Sequence, residues 1–151
     1  MAKTLVIYDS IYGNTERIAQ TIAEATGGLV RRAVDVQPGD WAGLDLLIVG
    51  SPTHGGWYTE AIRDLLKATP ALAGVKVACF DTRTRSKIGA FLFGFAAPRI
   101  ARSLQASGGR LVAPPEGFIV SGTQGPLLAG ELERAAGWAR RLVEDAVLAH
   151  S

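Results

Sequence analysis

Apolar and polar positions alternate along this chain between two periods, and each change of period marks an element. Lys3-Thr4-Leu5-Val6-Ile7-Tyr8 is a short apolar, β-branched run and predicts a buried strand. Behind it, Ile18, Ala19, Ile22 and Ala23 recur at helical spacing, with Glu16, Arg17, Gln20 and Glu24 on the other face. Gly27-Gly28 stops that helix. Leu29–Val34 predicts a second strand, nearer an edge because it carries two arginines, and Pro38-Gly39-Asp40 a turn. Asp45–Gly50 is a third strand, with the unbroken apolar run expected when helices cover both faces. Thr59–Lys67 predicts a helix with Ala61, Ile62, Leu65 and Leu66 on one side, and Val75–Phe80 a fourth strand. A helix starts at Ala96 or Ala97 with Pro98 in its first turn, and Ile100, Ala101 and Leu104 form its stripe. Arg110–Val112 and Gly117–Val120 read as two parts of a fifth strand region, interrupted by Pro114-Pro115. The last helix is expected from about Leu127 to Leu148, with Leu128, Leu132, Ala135, Ala139, Leu142 and Ala146 as its apolar stripe. Strands alternating with helices predict an α/β fold of three layers, a doubly wound, five-stranded parallel sheet between two helical layers.

Composition narrows the class. A chain of 151 residues with 48% hydrophobic and 20% charged residues fits one soluble globular domain over residues 1–151. A single cysteine excludes an internal disulfide framework. A strand pattern from residue 3 argues against a signal peptide, no apolar run has the length of a membrane span, and a cytoplasmic location is expected. The net charge is only +2, but it is unevenly placed. Between Asp81 and Arg110 lie Arg83, Arg85, Lys87, Arg99, Arg102 and Arg110 against Asp81 alone. Such a stretch is either a solvated surface or a face for an acidic partner or an anionic ligand. Nucleic acid is not expected, because no recognised module accompanies the charge.

The chemistry concentrates between the first strand and the first helix, at Ser10-Ile11-Tyr12-Gly13-Asn14-Thr15. A helix N-terminus offers free N–H groups and the positive end of the helix dipole to an anion. Gly13 permits positive φ or a close backbone approach, and Ser10, Asn14 and Thr15 add side-chain donors. The loop contains no Lys or Arg, so it would hold a phosphate through neutral groups. The same residues also make an ordinary capped β–α turn, and both readings stand on the loop alone. Neither the three-glycine dinucleotide fingerprint nor a Gly-Lys-Ser/Thr phosphate loop is present.

Ser10-x-x-Gly13-x-Thr15 in this setting resembles the phosphate loop of flavodoxins, with Tyr12 where that family commonly has Thr. A second stretch agrees. Gly50-Ser51-Pro52-Thr53-His54-Gly55-Gly56-Trp57-Tyr58 resembles the family's first flavin-ring loop, with His54 where an aromatic is frequent. The resemblance implies the strand order 2-1-3-4-5 of the short-chain type, non-covalently bound FMN, and electron transfer to a redox protein partner, acidic if the basic stretch is a docking face. It implies a phosphate held by Ser10 to Thr15. One side of the ring would be lined by Ser51, Pro52, Thr53, His54, Gly55 and Trp57, with Thr82 and Arg83 near its polar edge. Gly55 matches a position where family members reorient a peptide on flavin reduction.

Several positions keep two readings. His54 is a ring contact or an exposed turn histidine. Trp57 and Tyr58 supply aromatic surface or pack on the following helix. The third loop departs from the family pattern, since Asp81-Thr82-Arg83-Thr84-Arg85 carries two arginines and no aromatic. Gly89-Ala90-Phe91-Leu92-Phe93-Gly94-Phe95 folds as core, covers the flavin, or forms a docking patch. Cationic Arg83 and Arg85, joined by His54 if it is protonated, beside a reduced, anionic flavin would make its couple less negative than in an acidic flavodoxin. The alternative functions are an FMN-dependent quinone or small-molecule reductase and a flavin-free interaction module. Cys79-x5-Arg85 has the bare spacing of a thiolate phosphatase loop, but Asp81 would repel the dianion and Cys79 sits inside a strand. A phospho-receiver is excluded because Gly50-Ser51-Pro52 stands where its acceptor Asp belongs.

Overall fold

The computed structural model describes residues 2–148. Its parallel sheet has the order β2-β1-β3-β4-β5. The strands are β1 (Thr4–Tyr8), β2 (Leu29–Arg32), β3 (Leu46–Pro52), β4 (Lys76–Arg83), β5 (Arg110–Leu111) and β6 (Glu116–Ile119). Both β5 and β6 pair with β4, at Lys76–Val77 and at Phe80–Arg83 respectively. They are the two halves of one fifth position, broken where Pro114-Pro115 cannot sustain a ladder. The helices are α1 (Asn14–Thr26), α2 (Glu60–Ala68), α3 (Lys87–Phe93), α4 (Ala96–Ala106) and α5 (Glu131–Leu148).

The period of two along the central strands builds two cores. Leu5, Ile7, Leu47, Val49, Val77 and Cys79 face the layer of α2 and α4, with Ile62, Leu65, Ile100 and Leu104. Val6, Tyr8, Leu46, Ile48, Ala78 and Phe80 face that of α1 and α5, with Ile18, Ile22, Ala135, Trp138 and Leu142. On the second side Phe80, Phe118 and Trp138 meet edge to face, with centroids 5.9–6.3 Å apart. Gly50 makes room for that cluster, because a Cβ there would lie 2.0 Å from the Phe80 ring.

Three expectations are corrected. β2 ends at Arg32 and passes into a 3-10 turn at Ala33–Asp35, so the strand stops short of Val34. α5 begins at Glu131, not Leu127. Leu127 instead bridges Val120 and Leu128 donates to the Ile119 carbonyl, so this segment extends the sheet edge before the helix starts. Of the expected stripe on α5, the Ala146 side chain lies outside the described residues. The apolar run around Phe91 is not core: it forms α3, in which no residue is buried.

Candidate functional site

β1, β3 and β4 end on the same edge of the sheet, and each hands over to a loop rich in hydroxyl or amide groups. In a parallel α/β sheet the crevice opens there, where the strand order reverses. The loop after β1 is held by its own side chains. Ser10 Oγ accepts from the N–H groups of Gly13 (3.1 Å) and Glu16 (3.3 Å). Gly13 takes φ 92°, a left-handed conformation that admits glycine most easily, and so turns the chain into α1. Asn14 and Thr15 open the helix, where amides lack an intrahelical acceptor. From β2, Arg32 reaches Asp9 (3.1 Å) and the Ser10 carbonyl (3.0 Å), pinning the loop from outside. Tyr8 donates to Glu16 at 2.8 Å. Burial first, then that carboxylate, push the Tyr8 phenol above its ordinary value.

The loop after β3 makes a tight reversal. His54 and Trp57 exchange backbone hydrogen bonds, both 3.0 Å, across Gly55 (φ 56°) and Gly56 (φ 83°). Two successive positive φ values define a turn that glycine pairs supply. A Cβ on Gly56 would also lie 2.0 Å from the Phe93 carbonyl oxygen, so the turn sits directly against α3. Ser51 is fully buried; its Oγ accepts from Thr59 N–H at 3.1 Å and anchors the start of α2. Thr53 donates its N–H to the Thr82 carbonyl, and its Oγ accepts from Ala96.

The loop after β4 neutralises its own charge. Arg83 donates to Asp81 through Nε and Nη2, at 2.6 and 2.7 Å, and lies over the Phe95 ring at 3.5 Å. Asp81 is fully buried and also accepts from Ala97 N–H at 2.9 Å. The expectation that Arg83 and Arg85 together place positive charge beside the ring is therefore corrected: Arg83 is paired with Asp81, and Arg85 is exposed and lines neither this cleft nor the smaller one beside it. Thr82 Oγ1 and Thr15 Oγ1 share a hydrogen bond of 2.7 Å, tying this strand to the start of α1.

These loops enclose a cleft of about 260 Å3. It is lined by Ile11, Tyr12, Asn14 and Thr15; by Pro52, Thr53, His54 and Gly55; by Thr82, Arg83 and Thr84; and by Val120 and Thr123. Of the residues assigned to the site from sequence, Ser10, Gly13, Ser51 and Trp57 stand outside this lining. The first two shape the loop after β1 and Ser51 anchors α2. Trp57 lies under Arg99, whose guanidinium is 3.9 Å from its ring. His54 is exposed at the rim. Sequence reasoning missed Thr84, Val120, Thr123 and the pinning Arg32. Thr123 belongs to Ser121-Gly122-Thr123-Gln124-Gly125, a second hydroxyl- and glycine-rich loop, and Asn14 donates to its Gln124 carbonyl at 3.3 Å. That composition was the available signal.

The donor set fits a phosphorylated aromatic ligand. Five threonines, an asparagine and a helix N-terminus offer neutral donors, and the lining holds no carboxylate to repel an anion. Ile11, Tyr12, Pro52, His54 and Val120 supply flat or apolar surface for a ring. Thiolate chemistry is absent from this edge. Cys79 is fully buried, and desolvation pushes its thiol far above the ordinary value. Among the described residues no cluster could hold a metal ion, and no helix is long and apolar enough to cross a membrane.

Residues 5–90, more than half of the chain, match the flavodoxin domain model. The chain belongs to the flavodoxin family, whose domains bind a flavin. Solved structures carry the same fold over nearly the whole length. The flavodoxin, WrbA-like protein from Agrobacterium tumefaciens superposes with a TM-score of 0.78 at 20% identity, covering 98% of this chain and 99% of that one. Oxidised Flavodoxin 2 from Bacillus cereus gives a TM-score of 0.76 at 24% identity, covering 95% and 99%. The Flv1 flavodiiron core from Synechocystis sp. PCC6803 matches 98% of this chain with 36% of its own, at a TM-score of 0.77 and 20% identity.

Proposed function

We propose that the protein binds FMN non-covalently and carries electrons to a protein partner. The observation behind this reading is the convergence of three strand-end loops on one threonine-rich cleft without a carboxylate. Bound FMN would supply the redox chemistry; the chain supplies binding and orientation. Asn14 and Thr15 at the start of α1, with the backbone of Ile11 and Tyr12, would hold the phosphate. Pro52, Thr53, His54 and Gly55 would flank the ring on one side and Thr82 its polar edge. The Ser10 bonds and the Arg32 anchor hold the phosphate loop before the ligand arrives, which lowers the ordering cost of binding.

One observation favours a second reading, an FMN-dependent quinone or small-molecule reductase. A smaller cleft of about 120 Å3 continues from the first, sharing Thr53, Gly55, Arg83 and Thr84, and is walled by Phe93 and Phe95. It could seat a second small molecule beside the ring. Oxidation of NAD(P)H by the flavin-loaded protein alone, with a quinone as acceptor, would move the assignment from carrier to reductase.

The deciding experiment is the visible absorption spectrum of the purified protein before and after FMN is added and excess removed. A flavin spectrum that stays with the protein is the expected result. A colourless protein that leaves flavin fluorescence unquenched would overturn both readings and leave a flavin-free interaction module.

A further inference from the structure

Helix α3 has no structural reason to be apolar. Ile88, Phe91 and Leu92 stand at i, i+3 and i+4, on one face. They are 73%, 89% and 60% exposed, and Phe93 beside them is 54% exposed. A monomeric protein seldom leaves so many large apolar side chains together in water without a use for them. Nothing inside the helix is buried, so their burial does not hold the fold together.

The helix is nonetheless firmly placed. Ser86 Oγ caps its start by accepting from Gly89 N–H at 3.1 Å. Arg99 donates to the Phe93 carbonyl and to the Gly56 carbonyl, both at 2.9 Å, binding its end to the turn beside the cleft. So the apolar face is a positioned feature at the margin of the cleft.

The charge around it has one sign. From Thr82 to Pro115 the sequence contains no Asp or Glu, and it contains six arginines and lysines. Arg83 is neutralised by Asp81 and Arg99 is occupied by carbonyls. Arg85, Lys87 and Arg102 are exposed, with no acidic partner among the described residues.

From this we infer that α3 docks the protein on an anionic lipid surface, with Ile88, Phe91 and Leu92 entering the headgroup layer and Arg85 and Lys87 meeting lipid phosphates. A short, protruding apolar face bordered by cations and free of carboxylates is the chemistry of an interfacial anchor. A lipid layer accepts such a face without a matching pocket, whereas a folded partner would have to supply a groove of complementary shape. The start of the basic stretch, which the sequence leaves open between a solvated surface and a face for an acidic partner or an anionic ligand, is thus assigned to lipid. This inference does not rest on flavin binding, because none of the five residues placed against the lipid lines either cleft.

The test is co-sedimentation of the full chain with vesicles of phosphatidylglycerol and phosphatidylcholine, and with vesicles of phosphatidylcholine alone. Binding to the mixed vesicles is expected to be at least tenfold tighter, and to weaken as NaCl rises from about 0.05 to 0.5 M. Ile88→Ser with Phe91→Ser should abolish it, and Arg85→Glu with Lys87→Glu should reduce it at least tenfold. Because α3 buries nothing, these variants should keep the wild-type circular dichroism and flavin affinity, which separates failure of this inference from failure of the flavin reading. Absence of vesicle binding by the wild type, equal binding to both vesicle types, or binding unchanged in the variants would overturn it. So would a concentration-dependent dimer, or capture of an acidic protein, that the Ser variants abolish while the wild type ignores vesicles.

Discussion

The loops after β1 and β4 leave the same edge of the sheet, side by side with β3 between their strands, yet they are built on opposite plans. The β1 loop closes on itself through bonds spanning three and six residues, from Ser10 to Gly13 and Glu16. The β4 loop depends on groups far along the chain: Ala97 on Asp81, Phe95 under Arg83, and Gly56 held by Arg99. The first presents neutral donors, and its one carboxylate, Asp9, is paired with Arg32. The second carries cations, cancels one internally, and runs on into a helix that buries nothing. A ligand loop that must offer amides is best fixed locally, so that its geometry survives small shifts elsewhere. A segment that adds a surface to the same edge can be fixed at its ends and left free on its outer face.

Substitutions can break or sharpen this contrast, and the largest effect should fall on the β4 side. Arg83→Met removes the partner of a fully buried carboxylate and should cost about 3–5 kcal/mol, read from the urea midpoint. A loss under about 1 kcal/mol would mean that the pair is not what holds this loop. Next, Gly56→Ala forces a Cβ against the Phe93 carbonyl at φ 83°. We expect a loss of about 2–3 kcal/mol together with displacement of α3, seen as faster proteolysis after the residues around Phe91. Stability unchanged, with α3 still protected, would show that the turn and the helix are not in contact.

On the β1 side, Ser10→Ala leaves two amides of the loop without their acceptor. It should weaken FMN binding about tenfold while costing the fold only about 1 kcal/mol, measured by flavin fluorescence quenching and thermal melting. An equal loss in both measurements would mean that the loop is merely structural. The smallest effect concerns the junction of β6 with α5, where Glu131 accepts from Ile119 N–H at 2.7 Å and pairs with Arg134. The hydrogen bond to Arg134 is the main cause holding this carboxyl below the ordinary glutamate value. A lowered folded value contributes stability above the unfolded value and loses it as pH falls through the folded one. Stability should therefore decline on acidification below about pH 4.5, and Glu131→Gln should flatten part of that decline in a series of melts against pH. An unchanged slope would remove Glu131 as its source.

How much of this was legible in the chain follows the same division. The strands and four of the helices were readable, because each rests on local spacing, period two or period 3.6; the bonds by which Ser10 Oγ accepts from Gly13 and Glu16 were not, since Ser10 was read as a donor. Ten of the residues assigned from sequence line the cleft. The start of α5 was misread because Leu127 and Leu128 fit a helical stripe, while their backbone groups are taken by Val120 and Ile119 across a turn. Arg32 looked like an edge-strand residue because its partner loop is over twenty residues away in sequence.

By itself the sequence determined the alternation of strands and helices, the two-sided core, and the neutral donor set of the loop after β1, since all of these depend on neighbours within a few positions. Only the tertiary structure decided which charges remain available. Asp81 and Arg83 cancel because pairing with β6 carries β4 on to Arg83, which puts the two side chains on one face of the strand, and Arg99 is spent on carbonyls from the turn after β3 and from the end of α3. It alone decided that the apolar run around Phe91 faces water, because composition specifies how readily a segment leaves solvent but not whether the finished core has a place for it.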